Sequence, residues 1–285
     1  MHTKTLLIFS IFILLISCKD NTENISEAEV YDFSDRKYEV MAGYDTNYQN
    51  PRPLLIVLHG AGSSAASMIQ ATNFNLIAGE EKFIIVYPDA FQGFWNFGEE
   101  CGMAFPERPD DLHFIKYIID EVIKNYNVDQ KKIFITGFSM GGYFTYYLAE
   151  KLKGSIAAIA PVAATMPRFI SKYETPNKLS VLIILGTKDD SVNYEGTVGD
   201  CGKFSGMESI QYWASVNGCA SPSETTYMPD NGIDYLKIRI DNFVNCDHPY
   251  ETKLISIEGG GHRWYMNDEI NTSEIIFNFF QDKSL

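Results

Sequence analysis

From residue 54 onward, short apolar runs rich in Val and Ile alternate with longer stretches whose apolar residues recur at helical spacing. Residues 54–59, 83–87, 132–136, 156–160 and 181–185 read as strands buried on both faces, and residues 111–126 and 140–152 read as amphipathic helices. Alternation of this kind predicts an α/β fold: a mostly parallel sheet with helices on both faces. After residue 190 the pattern loosens. A helix near 207–217, strand-like stretches at 235–240 and 254–257 and a last helix near 273–281 complete the reading, with residues 37–41 as an antiparallel edge strand. No second core, internal repeat or low-complexity tract is visible, so one domain is expected over residues 31–285.

The first 30 residues follow a different rule. Lys4 precedes an apolar run, residues 6–16, which is short for a membrane span and reads as a signal peptide. Its end, Leu15-Ile16-Ser17-Cys18, matches a bacterial lipobox, in which the cysteine is lipidated and becomes the mature N-terminus. Residues 1–18 are thus expected to be a lipoprotein signal and residues 19–30, polar and acidic, a solvated tether. An exported lipoprotein of a bacterial outer membrane is the expected location, touching the membrane only through the lipid on Cys18.

Charge and cysteines narrow the partners. Lys plus Arg number 23 against 37 Asp plus Glu, a formal charge of −14, which repels polyphosphate and excludes nucleic acid as a partner. Without Cys18, four cysteines remain: Cys101, Cys201, Cys219 and Cys246. An even number in an exported chain, with no close C-x-x-C spacing and five histidines in all, predicts two disulfides and no metal site; three pairings are open.

The residues that carry chemistry begin at Gly137-Phe138-Ser139-Met140-Gly141, between a predicted strand and a predicted helix. In a nucleophile elbow the glycines allow a tight turn that lifts the serine hydroxyl clear of the sheet. Such a serine needs a base within hydrogen-bond reach and a carboxylate to orient that base. The order Ser, acid, His places Asp189, after the strand 181–185, as the acid, with Asp190 its rival. His262, behind Gly259-Gly260-Gly261, is the candidate base, whereas His248 reads as part of a turn beside Cys246. An oxyanion would be held by the amides of Met140, at the helix N-terminus, and Ala61, in His59-Gly60-Ala61-Gly62; His59 is expected to brace that loop. Asp110 and Asp111 are expected to cap a helix. No cofactor is required.

With these residues in place the chain resembles the polyhydroxybutyrate-depolymerase and feruloyl-esterase-like branch of α/β-hydrolases, over residues 50 to 265. The resemblance is carried by Leu58-His59-Gly60-Ala61-Gly62, Tyr87-Pro88-Asp89 with Trp95-Asn96, and Asp110-Asp111. It continues through the Gly137 to Gly142 elbow, Gly186-Thr187-Lys188-Asp189, Asn217-Gly218-Cys219, Cys246 and Gly259-Gly260-Gly261-His262 with Trp264. It implies the α/β-hydrolase fold, Ser139, Asp189 and His262 as the triad, and a Cys219–Cys246 disulfide, leaving Cys101 with Cys201. Leu185, Asn193 and Tyr265 depart from common family residues near the mouth of the site.

The implied function is a serine carboxylic-ester hydrolase acting on feruloyl or acetyl esters of plant polysaccharides or their oligosaccharides. Trp95 and Trp264 are the candidates to line the substrate pocket. For Phe94, Trp95 and Phe97 the competing reading is a small core beneath a long loop. Polyester depolymerase, serine peptidase and non-catalytic glycan-binding lipoprotein are the alternatives.

Overall fold

A computed structural model describes residues 33–42, 50–76, 83–98, 109–199, 201–220, 223–230, 232, 235–247, 249–267 and 269–285. All fall in one compact unit, Phe33–Leu285. The expectations for the signal, lipobox and tether, for Cys18 and Cys101, and for the rival His248 lie outside the described residues.

Among the described residues the sheet has nine strands: β1 (Tyr38–Met41), β2 (Arg52–Leu58), β3 (Ile84–Pro88), β4 (Val128–Phe138), β5 (Ala158–Val162), β6 (Ser180–Gly186), β7 (Glu224–Tyr227), β8 (Lys237–Phe243) and β9 (Thr252–Glu258). They lie in the order β1-β3-β2-β4-β5-β6-β9-β8-β7. The block β3-β2-β4-β5-β6-β9 is parallel, and β1, β8 and β7 add antiparallel edges. Around it stand α1 (Ala65–Thr72), α2 (Asp111–Asn125), α3 (Met140–Lys151), α4 (Gly206–Val216) and α5 (Thr272–Phe280).

Side chains along a strand alternate between faces, and β2 divides its apolar run accordingly. Leu54, Ile56 and Leu58 join α2, α3 and α4 in one core, through Phe114, Phe144 and Trp213 among others. Leu55 and Val57 join α1 and α5 in the other, through Met68, Phe277 and Phe280. Burial on both faces is why these strands read as continuous rather than alternating.

Several boundaries differ from those the sequence suggests. β5 lies two residues later than the pattern suggests at both ends and carries Pro161 inside the strand opposite Gly137. β7 escapes the pattern altogether: Glu-Thr-Thr-Tyr has no apolar alternation, and all of it is exposed. α1 is short and rests on Ser64, whose hydroxyl caps the Ser67 amide.

The parallel block sets the site. The carboxyl ends of β2, β4, β6 and β9 face the same way, so the segments that follow them all emerge at one edge of the sheet: residues 59–62, Ser139, Asp189 and His262.

Candidate active site

Ser139 occupies a single-residue turn between β4 and α3 with φ 54° and ψ −115°. A non-glycine residue there is strained, and the surrounding packing holds it. Its amide donates to Val162 O at 2.9 Å. The neighbouring glycines are explained by contact: a Cβ on Gly137 would lie 2.3 Å from Gly141 O, and one on Gly141 would lie 2.5 Å from Leu58 O. A Cβ on Gly142 would lie 2.5 Å from that of Ala164. The elbow is therefore wedged between the ends of β2 and β5, and only hydrogen fits at these three positions.

Asp189 follows β6 through a turn whose amides are tied to the end of β9. Thr187 N donates to Ile257 O and Lys188 N to Gly260 O, at 3.0 and 2.7 Å. Gly186 has no room for a side chain, since its Cβ would meet Gly260 O at 2.4 Å. One carboxylate oxygen of Asp189 accepts the Ser191 and Val192 amides; the other lies 2.7 Å from His262 Nδ1. Asp190, the rival acid, is exposed. The carboxylate acceptor fixes the proton on Nδ1 and leaves Nε2 as the basic nitrogen. The imidazole packs on the ring of Phe138, the residue before Ser139, with centroids 4.8 Å apart. Of the three glycines before His262, Gly259 adopts the left-handed region at φ 83°, and Gly260 is held by crowding from Ile257 and the Tyr265 hydroxyl. Tyr265, one of the departures from the family pattern, donates from that hydroxyl to Gly261 O.

Of the two expected oxyanion donors, one directly follows the serine and the other lies in the loop after β2. Met140 N opens α3, and Gly60, adjoining Ala61, comes close enough that its Cβ would lie 3.5 Å from that of Ser139. Among the described residues neither the Ala61 nor the Met140 amide donates a hydrogen bond, while the adjacent Gly62 amide is bound to Gly93 O at 2.8 Å. His59 braces this loop. Its Nε2 accepts the Ala90 amide at 3.0 Å, so Nδ1 carries the proton and donates to Gly60 O at 2.7 Å. Burial pushes its pKa down, which keeps this neutral tautomer in place.

Trp95 corrects an expectation. It is 1% exposed, its ring stacks on Phe144 at 5.1 Å, and its N–H donates to His59 O at 2.9 Å. It is a core residue beneath the loop and offers no face to a ligand; buried Phe97 packs on Tyr143. Trp264 likewise makes structural contacts. Its N–H donates to Ser273 Oγ and its ring meets Phe74 edge-on, tying the His262 loop to α5.

Asp110 caps α2 through the His113 amide, as the sequence suggests. Asp111 differs: its buried carboxylate takes Arg36 Nη2 at 2.7 Å and the Asn96 amide at 2.6 Å. Arg36 also donates to Asp89 O and lies over the Phe114 ring, so this pair joins the lead into β1, the loop after β3 and α2. Cys219 and Cys246 form a disulfide, the pairing the resemblance implies. Cys201 is also disulfide-bonded. Among the described residues no group of His, Cys, Asp and Glu is placed to hold a metal ion.

Two further side chains, which the sequence reading does not single out, meet on the helix that Ser139 opens. Tyr143 lies one helical turn after Ser139, and the Lys203 ammonium sits over its ring, 5.1 Å from the centroid. The (i, i+4) spacing from the elbow serine is the signal that points to Tyr143.

A family model described as phospholipase/carboxylesterase matches residues 108–198. A bifunctional acetylxylan esterase/xylanase from Neocallimastix patriciarum is 28% identical over 238 residues, which are 80% of this chain and 32% of that protein. Feruloyl esterase B from Piromyces equi is 31% identical over 224 residues, 74% of this chain and 39% of that protein. The chain thus spans roughly a third of the length of these curated relatives. Among solved structures, an acetyl xylan esterase from Aspergillus awamori matches with a TM-score of 0.61 at 16% identity, over 85% of this chain and 93% of that one, a likeness of fold. The chain has the α/β-hydrolase fold, and feruloyl and acetylxylan esterases are among its relatives.

Proposed function

We propose that this protein is a serine carboxylic-ester hydrolase in which Ser139 is the nucleophile, His262 the base and Asp189 the acid that orients it, acting on feruloyl or acetyl esters of plant polysaccharides or their oligosaccharides. The observation that carries this reading is the strained Ser139 on its strand-to-helix turn, together with an imidazole that packs on the preceding Phe138, whose Nδ1 is held 2.7 Å from Asp189 and whose Nε2 is left basic. The relatives named above, an acetylxylan esterase and a feruloyl esterase, support the substrate class.

In this mechanism His262 Nε2 takes the Ser139 proton as Oγ attacks the ester carbonyl, and the imidazolium formed is stabilised by Asp189. The Met140 and Ala61 amides donate to the oxyanion of the tetrahedral intermediate. His262 then protonates the departing alcohol, and a water deprotonated by the same nitrogen releases the acid from the acyl-enzyme. No metal or organic cofactor enters these steps. Partners are confined to a small ester or esterified oligosaccharide.

The same reading includes export and attachment of the chain to a membrane by a lipid on Cys18. The Cys219–Cys246 disulfide supports the export half of it, because such bonds persist in oxidising compartments. Palmitate labelling of the wild type and of Cys18→Ala tests it; equal labelling of both removes the anchor.

The test of the activity is turnover of methyl ferulate, 4-nitrophenyl acetate and acetylated xylan by the purified protein and by Ser139→Ala. Turnover abolished by the substitution is the expected result. A folded wild type that cleaves none of the three overturns the esterase reading, and glycan binding in a pull-down would then favour the binding role.

A further inference from the structure

We propose that Lys203 and Tyr143 form an anion-recognition subsite beside Ser139, so that the esters this protein cleaves best carry a carboxylate; this rests on the esterase reading above. Tyr143 is fixed relative to the nucleophile, since its amide donates to Ser139 O at 3.1 Å and its ring packs on Phe97 with centroids 5.7 Å apart. Its hydroxyl has no hydrogen-bond partner among the described residues. Burial and the nearby Asp189 carboxylate push its pKa up, so it stays a neutral donor.

Lys203 stands against the same ring, half-buried. Its backbone is held: the amide and carbonyl exchange hydrogen bonds with Thr197, and the next amide, Phe204, donates to Met166 O at 2.9 Å. Yet among the described residues its ammonium has no carboxylate partner, in a chain of net charge −14 where Arg168, Lys178, Lys253 and Lys283 all have one. Burial lowers its pKa, the mark of a charge whose lost hydration no anion offsets. Lys188 and Arg263, the chain neighbours of Asp189 and His262, are exposed and form no ion pair among the described residues. The molecule as a whole, at net charge −14, repels anions at a distance. Selection of an acidic substrate must then come from contact at short range, where solvent screening is weakest. A carboxylate suits both donors, since it accepts from the ammonium and from the phenol together.

The carboxylate can belong to the alcohol, as a uronate on the sugar chain, or to the acyl group, and two matched pairs separate these sources. Acetylated glucuronoxylo-oligosaccharide is compared with acetylated neutral xylo-oligosaccharide, and 4-nitrophenyl hydrogen succinate with 4-nitrophenyl butyrate. The wild type is expected to favour the acidic member of one pair, and Lys203→Met to lower that acidic-to-neutral ratio of kcat/KM about tenfold, the effect of losing one charge-assisted hydrogen bond. Lys203→Arg should keep the ratio. Tyr143→Phe, which retains the ring beneath Lys203, should lower it and serves as the second variant. No acidic preference in either pair, or an equal loss on both members in Lys203→Met, overturns the subsite and leaves Lys203 as a loop clamp. Neutral esters cleaved normally under that outcome keep the esterase reading intact, whereas no turnover of any of the four overturns both.

Discussion

The His262 imidazole and the Asp189 carboxylate meet at 2.7 Å, and the second carboxylate oxygen is held by the Ser191 and Val192 amides at 2.8 and 2.7 Å. The acid is thereby clamped by its own loop before it orients the base. Asp189→Asn separates these two roles. The amide oxygen can keep the two backbone bonds, so the fold should hold, but an NH2 facing Nδ1 favours the tautomer with its proton on Nε2. The expected outcome is a fall in kcat of about 10⁴ on 4-nitrophenyl acetate with a near-unchanged melting temperature. Unchanged turnover would remove Asp189 from the acid role.

The elbow glycines make a sharper steric prediction. A methyl at Gly141 would press on two backbone carbonyls, those of Leu58 and His59, at 2.5 and 2.6 Å. Backbone cannot rotate away as a side chain can, so Gly141→Ala should displace Ser139 and lower both stability and turnover. Gly62→Ala is the control: φ is 68°, but a Cβ there meets nothing within 4 Å. Its cost is the left-handed backbone alone, about 1 to 2 kcal/mol. Urea denaturation of the two variants checks the ranking, and a Gly141→Ala protein as stable as Gly62→Ala would contradict the wedge.

Chemistry was more legible in the chain than surroundings were. Ser139, Asp189 and His262 stand out because each follows a strongly apolar strand, and parallel strands deliver their carboxyl ends to one edge of the sheet. The Arg36–Asp111 pair was not visible, since its partners are 75 residues apart and a carboxylate at a helix start has the same local signature whether it caps or pairs. Trp95 was misplaced for a related reason. An aromatic run after a strand looks the same whether it lines a pocket or fills a core, and what decides is Phe144, from a helix later in the chain, arriving over the ring.

Trp95→Phe therefore tests packing rather than recognition. The indole N–H to His59 O bond and part of the stack on Phe144 are lost from a fully buried position. A loss of about 1 to 3 kcal/mol in urea unfolding is expected, since the His59 carbonyl is left without this buried donor. KM for methyl ferulate should stay within about twofold, because the ring faces no ligand. A raised KM with unchanged stability would restore Trp95 to the pocket.

Arg36→Met isolates the buried ion pair. Asp111 has a side chain 0% exposed, and desolvation holds its pKa above the ordinary value despite Arg36, whose charge pulls it down. Removing the guanidinium leaves the charge uncompensated, at a cost of about 3 to 5 kcal/mol near neutral pH. The pH dependence follows from the sign of the shift. A carboxyl whose folded pKa is raised binds its proton more readily when native, so folding gains relative to the unfolded chain as pH falls through the folded value. Without Arg36 that value rises further, so the variant begins to recover at a higher pH than the wild type. The stability gap should then be widest near pH 7 and should narrow as the pH falls and Asp111 takes up its proton. What remains in acid is the lost packing on Phe114 and the lost bond to Asp89 O. Urea unfolding of both proteins from neutral pH downward reads the gap directly. A gap independent of pH would mean that Arg36 acts through packing alone and that the charge on Asp111 is neutralised by other means.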